Sequence, residues 1–446
     1  MAARSDSKWR IGEGQWHAAG FDRARAPRLK SPQSTDTALG TSGRSHLRMN
    51  SGRLDGVENQ LSQGLHYAFG THDRSDVMLP DSGPETDRAG GQHLTIAIIV
   101  GDGIGPELLA AARRVLDAAT AEISPKLLYV EEDAGASTFE RTGTSIADDT
   151  LQRLVGPTYA AILKGPTGLP AVRRPDGTEA GLLGGVLRSG LDTYANVRPI
   201  RLLHGAGSPL RSHAGAVDYV IVRENTEGLY LSRGKGVGTD NAVADQLLVT
   251  RHGVERVARF AFDLARTRNG APADGVRRVT VVDKSNVLRT YAFFRQVTTE
   301  VAADYPDIEL TFRYADAAAH DLILTPQYFD VLVMENFLGD ILSDLGAATV
   351  GGLGMCGSAN VGDHHAYFEP IHGSAPDLAG RDTANPISQI MSGAMMLDYL
   401  GLPAAAARVR RGVERSLAEG SVSFDHSGRP TCGTQAVADT VIAHLP

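Results

Sequence analysis

Two aspartates four residues apart, Asp340 and Asp344, sit in NFLGDILSD, and EPIHGSAPD follows at 369–377. A spacing of four puts both carboxylates on one face of a helix, with Ile341, Leu342 and Leu345 as its apolar side. The second segment, broken by Gly and Pro, cannot be helical and ends in an acid, Asp377. Paired carboxylates beside a loop rich in free backbone fit a hard divalent cation next to a cofactor or phosphate ligand. Alone, an i,i+4 aspartate pair is ordinarily a solvated helix face, so the reading depends on what positions it and what accompanies it.

The elements that must do the positioning begin at Leu94. Leu94–Val100 (LTIAIIV) is a short β-branched run of buried-strand type, and GDGIGPE then turns the chain into a helix predicted over Glu107–Glu122. Further strand-like runs are Ala160–Leu163, Tyr219–Val222, Val279–Val282, Glu309–Tyr314 and Val331–Met334. Helical patterns recur between them at Gly253–Thr267, Tyr291–Asp304 and Pro386–Tyr399. Alternating strands and helices predict an α/β fold with a largely parallel core sheet.

Composition narrows the function classes. At 446 residues the chain suits about two domains. A net charge of -8 argues against nucleic acid as a partner. Cys356 and Cys432 are far apart and lack CxxC spacing, which fits a reducing cytoplasm rather than a disulfide scaffold or cysteine zinc site. No apolar run is long enough to span a membrane. Residues 1–92, rich in Gly, Ser, Arg, Asp and His, have too few aliphatics to offset their ordering entropy. They are expected to be a disordered extension or a mis-assigned start, with Met49 or Met78 as the true beginning, and they lack the apolar core of a signal peptide.

Gly101, Gly103 and Gly105 after a strand invite a dinucleotide-binding assignment. The GxGxxG fingerprint needs glycine where this chain has Pro106, and no strand-terminal acid follows at the expected distance. A tight strand-to-helix turn explains the glycines equally well.

GDGIGPE, YANVRP, VRENTEGLY, VDKSNVL, GDILSD and EPIHGSAPDLAG occur in this order. Together they resemble the isocitrate/3-isopropylmalate dehydrogenase family, metal-dependent β-decarboxylating dehydrogenases of 2-hydroxy acids, over residues 93–446. The resemblance implies a two-domain α/β isopropylmalate-dehydrogenase-like fold, not a Rossmann fold, with the active-site cleft between domains. The first domain would comprise 93–193 and 351–446, and the second 194–350. An arm of the second domain would pair two subunits into a homodimer.

The resemblance also implies roles. Asp316, Asp340 and Asp344 match the metal-ligand aspartates for Mg²⁺ or Mn²⁺, Asp316 coming from the partner subunit. Arg188, Arg198 and Arg223 match the substrate-carboxylate arginines, a task suited to a planar, permanently charged guanidinium. Lys284 matches the base that takes the hydroxyl proton, acting in the neighbouring subunit's site, and needs a lowered pKa to do so. Tyr230 matches the acid that protonates carbon after CO₂ leaves; outside its motif, core packing would be the plainer role for it. Ile104, Asn286, His372, Gly373, Ser374, Ala375, Asp377 and Asn385 match the cofactor site. A carboxylate at 377 would accept from the ribose hydroxyls and repel a 2′-phosphate, implying NAD rather than NADP.

The expected activity is NAD-dependent oxidative decarboxylation of a malate-type 2-hydroxy diacid: hydride leaves C2 for NAD and CO₂ departs from the resulting β-keto acid. A non-catalytic regulatory subunit is the rival from another class, but such subunits lose catalytic positions that this chain keeps. The substituent on C3 should face the positions three and four before Arg188, which are Gly185 and Gly184. With no basic residue there, a third carboxylate is expected to lack a partner, and burying it would be costly. An apolar 3-substituted malate such as 3-isopropylmalate or a bulkier analogue is therefore expected, ahead of D-malate or tartrate and then of isocitrate or homoisocitrate.

Overall fold

A computed structural model describes residues 93–174, 177–211 and 214–446. The expectations for the first 92 residues lie outside the described residues. In chain order the elements are β1 (His93–Ile99), α1 (Gly105–Thr120), β2 (Lys126–Glu131), α2 (Ala136–Thr142), α3 (Asp148–Val155) and β3 (Ala161–Lys164). Then come α4 (Gly184–Gly190), β4 (Ala195–Arg201), β5 (Asp218–Glu224), β6 (Val237–Thr239), β7 (Ala242–Ala244) and α5 (Arg251–Thr267). They continue with β8 (Arg278–Asp283), α6 (Arg289–Ala302), β9 (Glu309–Tyr314), α7 (Ala315–Leu324), β10 (Val331–Met334) and α8 (Asn336–Ala348). The last are β11 (Gly357–Val361), β12 (Ala366–Pro370), α9 (Ile387–Tyr399), α10 (Pro403–Ala418) and α11 (Thr434–Ala443).

Ten strands form one sheet in the order β2-β1-β3-β12-β11-β4-β5-β10-β8-β9. Its two wings are parallel, β2-β1-β3-β12 and β5-β10-β8-β9. The middle departs from the largely parallel expectation, because β12-β11, β11-β4 and β4-β5 all run antiparallel. The connections give the reason. β11 and β12 are joined by the short turn Gly362–His365, too short for the crossover a parallel pair needs, and no helix lies between β4 and β5 among the described residues.

The inner wing strands β1, β8 and β10 read as largely apolar runs because they are covered on both faces, whereas the edge strands β2 and β9 stay partly exposed. Ile96, Ile98 and Ile99 of β1 and all four residues of β10 are essentially solvent-free. Helices α1, α9, α10 and α11 pack together over one wing, and α5 and α6 over the other. Each fully buried Leu, Ile or Val is worth about 1.5–3 kcal/mol. β6 and β7 form a separate two-stranded ribbon, fully exposed, with Val237 and Val243 open to solvent.

Candidate active site

Helix α8 carries the aspartate pair. Glu335 caps its N-terminus by accepting from Leu338 N. The packed face consists of small groups, Gly339, Ser343, Gly346 and Ala347, together with Leu342. At Gly339 a Cβ would lie 2.6 Å from Cβ and Cγ of Arg223, so glycine lets α8 close on β5. This corrects the expected apolar face: Leu342 is buried, but Ile341 is exposed, because the face that meets the sheet is the glycine face.

Asp340 is the hub. Its Oδ1 pairs with Arg223 Nη1, and its Oδ2 accepts from Tyr230 Oη at 2.7 Å. Arg198 Nη2 lies 3.6 Å from the same carboxylate, and Arg198 Nη1 lies 3.4 Å from Asp344 Oδ1. Burial raises the Asp340 pKa, but Arg223, Arg198 and the Tyr230 hydroxyl outweigh it and hold the group at about 2. Asp344 shifts the other way, raised by burial and by repulsion from Asp340 against the pull of Arg198. A pair in which one member is under-compensated suits a divalent cation, and oxygen donors are the right chemistry for Mg²⁺ or Mn²⁺. Among the described residues, no group of three Asp, Glu, His or Cys stands together, so this chain alone offers two carboxylates.

Arg223 and Arg198 are buried and held by neutral partners as well. Arg223 Nε and Nη2 donate to Asn336 Oδ1 at 2.9 and 2.7 Å, and Arg198 donates to Ser343 Oγ and Asn196 Oδ1, each at 2.6 Å. Burial and the nearby Arg188 bring the Arg223 pKa down to about 9. Arg188, on the seven-residue helix α4, has a buried Nε with no hydrogen-bond partner among the described residues. Three guanidinium groups thus converge on one region, and the unpaired donor of Arg188 can take an anion. Burial pushes the Tyr230 hydroxyl up to about 12, helped by Asp340, so it keeps its proton at neutral pH.

A polar chain runs across the middle of the sheet beneath these arginines. Asn196 Nδ2 and Asn225 Nδ2 donate to Asn360 Oδ1 at 2.8 and 2.9 Å, and Asn360 Nδ2 donates to Glu369 Oε1 at 3.1 Å. Lys164 Nζ closes the chain on Glu369 Oε2 at 2.6 Å. Burial pushes the Glu369 carboxyl up, but Lys164 and Arg188 outweigh it and hold it below the usual range. Sequence reasoning missed Lys164, Asn196, Asn336, Ser343, Asn360 and Glu369. The available signal was polar residues inside otherwise apolar strands, as at Lys164 in AILK and Asn360 in GSANV.

The remaining predicted residues fall into two groups. Lys284 Nζ pairs with Asp316 Oδ1 at 2.7 Å, and no hydrogen bond or ion pair among the described residues joins either to Tyr230, Asp340 or Asp344. The cofactor candidates gather partly. Ile104 N donates to Ser374 O at 2.8 Å, and Ile104 packs with Leu108 and Ala384, with Ala375 and Leu378 against them. Gly103 makes that approach possible, since with φ +57 a Cβ there would lie 2.0 Å from Ser374 O. Ser374 Oγ donates to Gly168 O, His372 is partly buried with its pKa lowered by desolvation, and Gly373 and Asp377 are exposed. Asn385 turns inward, accepting from Ile387 N and donating to Met355 Sδ, and Asn286 is exposed on the turn after β8.

Beside Arg188 lies a cavity of about 310 Å³, lined among others by Gly185, Arg174, Arg233, Lys235 and Tyr230. Gly185 lines the cavity, whereas Gly184 does not; a Cβ at Gly184 would lie 3.6 Å from the Arg188 guanidinium carbon. The expectation that a carboxylate there would lack a basic partner fails, because Arg233 Nη1 lies 3.5 Å from where a Gly185 Cβ would be. The missing cation comes from the loop after Tyr230, which helix spacing around Arg188 does not reveal.

The family model for isocitrate/isopropylmalate dehydrogenase matches residues 95–441. A 3-isopropylmalate dehydrogenase from Clavibacter michiganensis subsp. michiganensis is 42% identical over 370 residues, covering 79% of this chain and 98% of the relative. An isocitrate/homoisocitrate dehydrogenase from Thermus thermophilus is 41% identical over 353 residues, covering 78% and 98%. The crystal structure of isocitrate dehydrogenase from Methylococcus capsulatus superposes with a TM-score of 0.69 at 37% identity, covering 79% of this chain and 99% of that one. With the six motifs placed on this fold, the chain belongs to the isocitrate/isopropylmalate dehydrogenase family of decarboxylating dehydrogenases, oxidoreductases acting on CH–OH donors.

Proposed function

We propose that the protein catalyses NAD-dependent oxidative decarboxylation of a malate-type 2-hydroxy diacid substituted at C3, with Mg²⁺ or Mn²⁺. The convergence of Arg198, Arg223 and Tyr230 on the Asp340–Asp344 pair carries the reading. Identity does not choose the substrate, since relatives named for different ones match at 42% and 41%.

Asp340 and Asp344, with Asp316 of a second copy, would hold the cation, and the Ile104–Ser374 region with Asp377 would hold NAD. Bound there, the cation supplies Lewis-acid stabilisation of oxygen charge and NAD accepts a hydride. The chain's own groups do the rest. Arg188, Arg198 and Arg223 hold the two malate carboxylates and fix C2 and C3. Tyr230, protonated and hydrogen-bonded to Asp340, delivers a proton to C3 once CO₂ has left. Lys284 of the second copy removes the hydroxyl proton. The exposed β6–β7 ribbon, and the lack of any hydrogen bond or ion pair from Lys284 or Asp316 to the hub among the described residues, support a homodimer. Residues 93–193 plus 351–446 and 194–350 are proposed as the two domains of each subunit. The cytoplasm is the proposed location.

The test is NADH or NADPH formation with CO₂ release from a panel of 2-hydroxy diacids, with and without chelator. Metal-dependent turnover favouring NAD is expected, and Asp377→Ala should narrow the preference. Absence of turnover on every diacid with both cofactors would refute the proposal.

A further inference from the structure

Tyr230 is held from backbone to hydroxyl by one helix. Its Oη donates to Asp340 at 2.7 Å, and its ring packs edge-on with Phe337, the centroids 5.8 Å apart and the planes at 84°. Its backbone is fixed one residue earlier, where Leu229 N donates to Glu335 Oε1 at 3.0 Å. Glu335 is the N-cap of α8, and Phe337 and Asp340 lie in the helix itself. The approach needs a glycine: at Gly228, with φ +80, a Cβ would lie 2.1 Å from Glu335 Oε1. The other oxygen, Oε2, accepts from Leu338 N at 3.4 Å and from the Tyr291 hydroxyl of α6 at 3.0 Å.

Capping alone does not explain a glutamate at 335. Ser, Thr, Asp and Asn are the usual caps, and all are shorter. Glu335 is 2% exposed and forms no ion pair among the described residues, so its carboxyl is buried on neutral donors. Burying such a group is unfavourable unless every oxygen is bonded. What the extra length gains is the contact with Leu229 N. We infer that Glu335 is a positioning residue for proton delivery to C3, tying the backbone of Tyr230 to the helix that carries Asp340 and Asp344. The inference rests on the role proposed above for Tyr230. In that step the Tyr230 proton goes to C3, the electron pair left by departing CO₂ becomes the new C–H bond, and solvent reprotonates the phenolate. Asp340 is also a proposed cation ligand, whereas Glu335 and Phe337 are not, so their hold on Tyr230 does not depend on the ion. A misplacement of about 1 Å at the hydroxyl costs on the order of a hundredfold in rate.

The test follows exchange of the C3 hydrogens of pyruvate, 4-methyl-2-oxopentanoate and 2-oxoglutarate for deuterium, by NMR in D₂O with Mg²⁺ and NADH or NADPH. These are the keto acids formed from D-malate, 3-isopropylmalate and isocitrate. Without added CO₂ the exchange reads proton transfer apart from the hydride step. The full-length enzyme is compared with Glu335→Asp, Glu335→Gln and Tyr230→Phe. Aspartate still caps α8 but, one methylene shorter, gives up Leu229 N, whereas glutamine keeps the reach. Glu335→Asp should lower exchange and kcat together by about ten- to a hundredfold, with KM for diacid and cofactor nearly unchanged, and Glu335→Gln should restore part of the loss. Exchange undiminished in Glu335→Asp while Tyr230→Phe abolishes it overturns the inference. So does a fall no larger than the loss of folded protein by circular dichroism, or one confined to KM. No exchange of any keto acid by the unmodified enzyme, or exchange that Tyr230→Phe leaves intact, overturns the proposed role of Tyr230 itself.

Discussion

Lys164→Met isolates the buried charge on which the polar chain ends. Lys164 is 2% exposed and Glu369 15%, so the pair is nearly dry, and methionine keeps most of the stem volume. Removing one partner of a buried pair costs about 3–5 kcal/mol. The residual exposure of Glu369 and the charge of Arg188 place the expected loss at the low end, about 3 kcal/mol. With ~2.1 cal/mol/K per residue over roughly 350 folded residues, that corresponds to a fall in Tm of about 4 °C. The effect has a pH signature. In the unmodified protein the Glu369 pKa is depressed, so its stabilisation is present above the unfolded value near 4.5 and is lost as pH falls through the folded value. Without Lys164, burial dominates and the folded pKa rises, so the destabilisation is full above that pKa and shrinks as pH falls towards 4.5. Thermal unfolding at a series of pH values, with Lys164→Met/Glu369→Leu completing a double-mutant cycle, measures both effects. A loss below about 1 kcal/mol, or a deficit that grows as pH falls, would refute the account.

Gly339→Ala should push Arg223 off Asn336 and Asp340, costing about 1–3 kcal/mol of stability and lowering kcat/KM; an unchanged kcat/KM would contradict the close packing of α8 on β5. Thiol labelling should count one reactive cysteine in the native protein, exposed Cys432, and two after denaturation, since Cys356 is buried and its pKa is pushed up to about 12. Mixing inactive Lys284→Ala and Asp340→Ala subunits should recover part of the activity if each site draws on two chains, and verified subunit exchange without recovery would argue against a shared site.

Much of this protein is legible in its sequence where the local pattern and the buried environment agree. β1, β5, β8 and β10 fall within a residue or two of their predicted apolar runs, because inner strands covered on both faces are largely apolar. The aspartate pair was readable because a spacing of four fixes a shared helix face whatever surrounds it. Motif order identified the family, a conclusion no single motif could carry. Strands β11 and β12 were missed, because GSANV and AYFEP mix small and polar residues that the sheet buries through partners on other strands. Only the tertiary structure decides the distant partners: Asn360 is satisfied by Glu369 on the next strand and by Asn196 and Asn225, which lie 164 and 135 residues away in the chain. Tertiary packing also decided which face of α8 is covered, since close approach favours glycine over the larger Ile341. Helix spacing around Arg188 reports only on its own element, so Gly185 read as empty space until the fold brought Arg233 to it. Sequence fixes what neighbours along the chain must do; chemistry assembled from distant segments becomes visible only when the fold sets their distances.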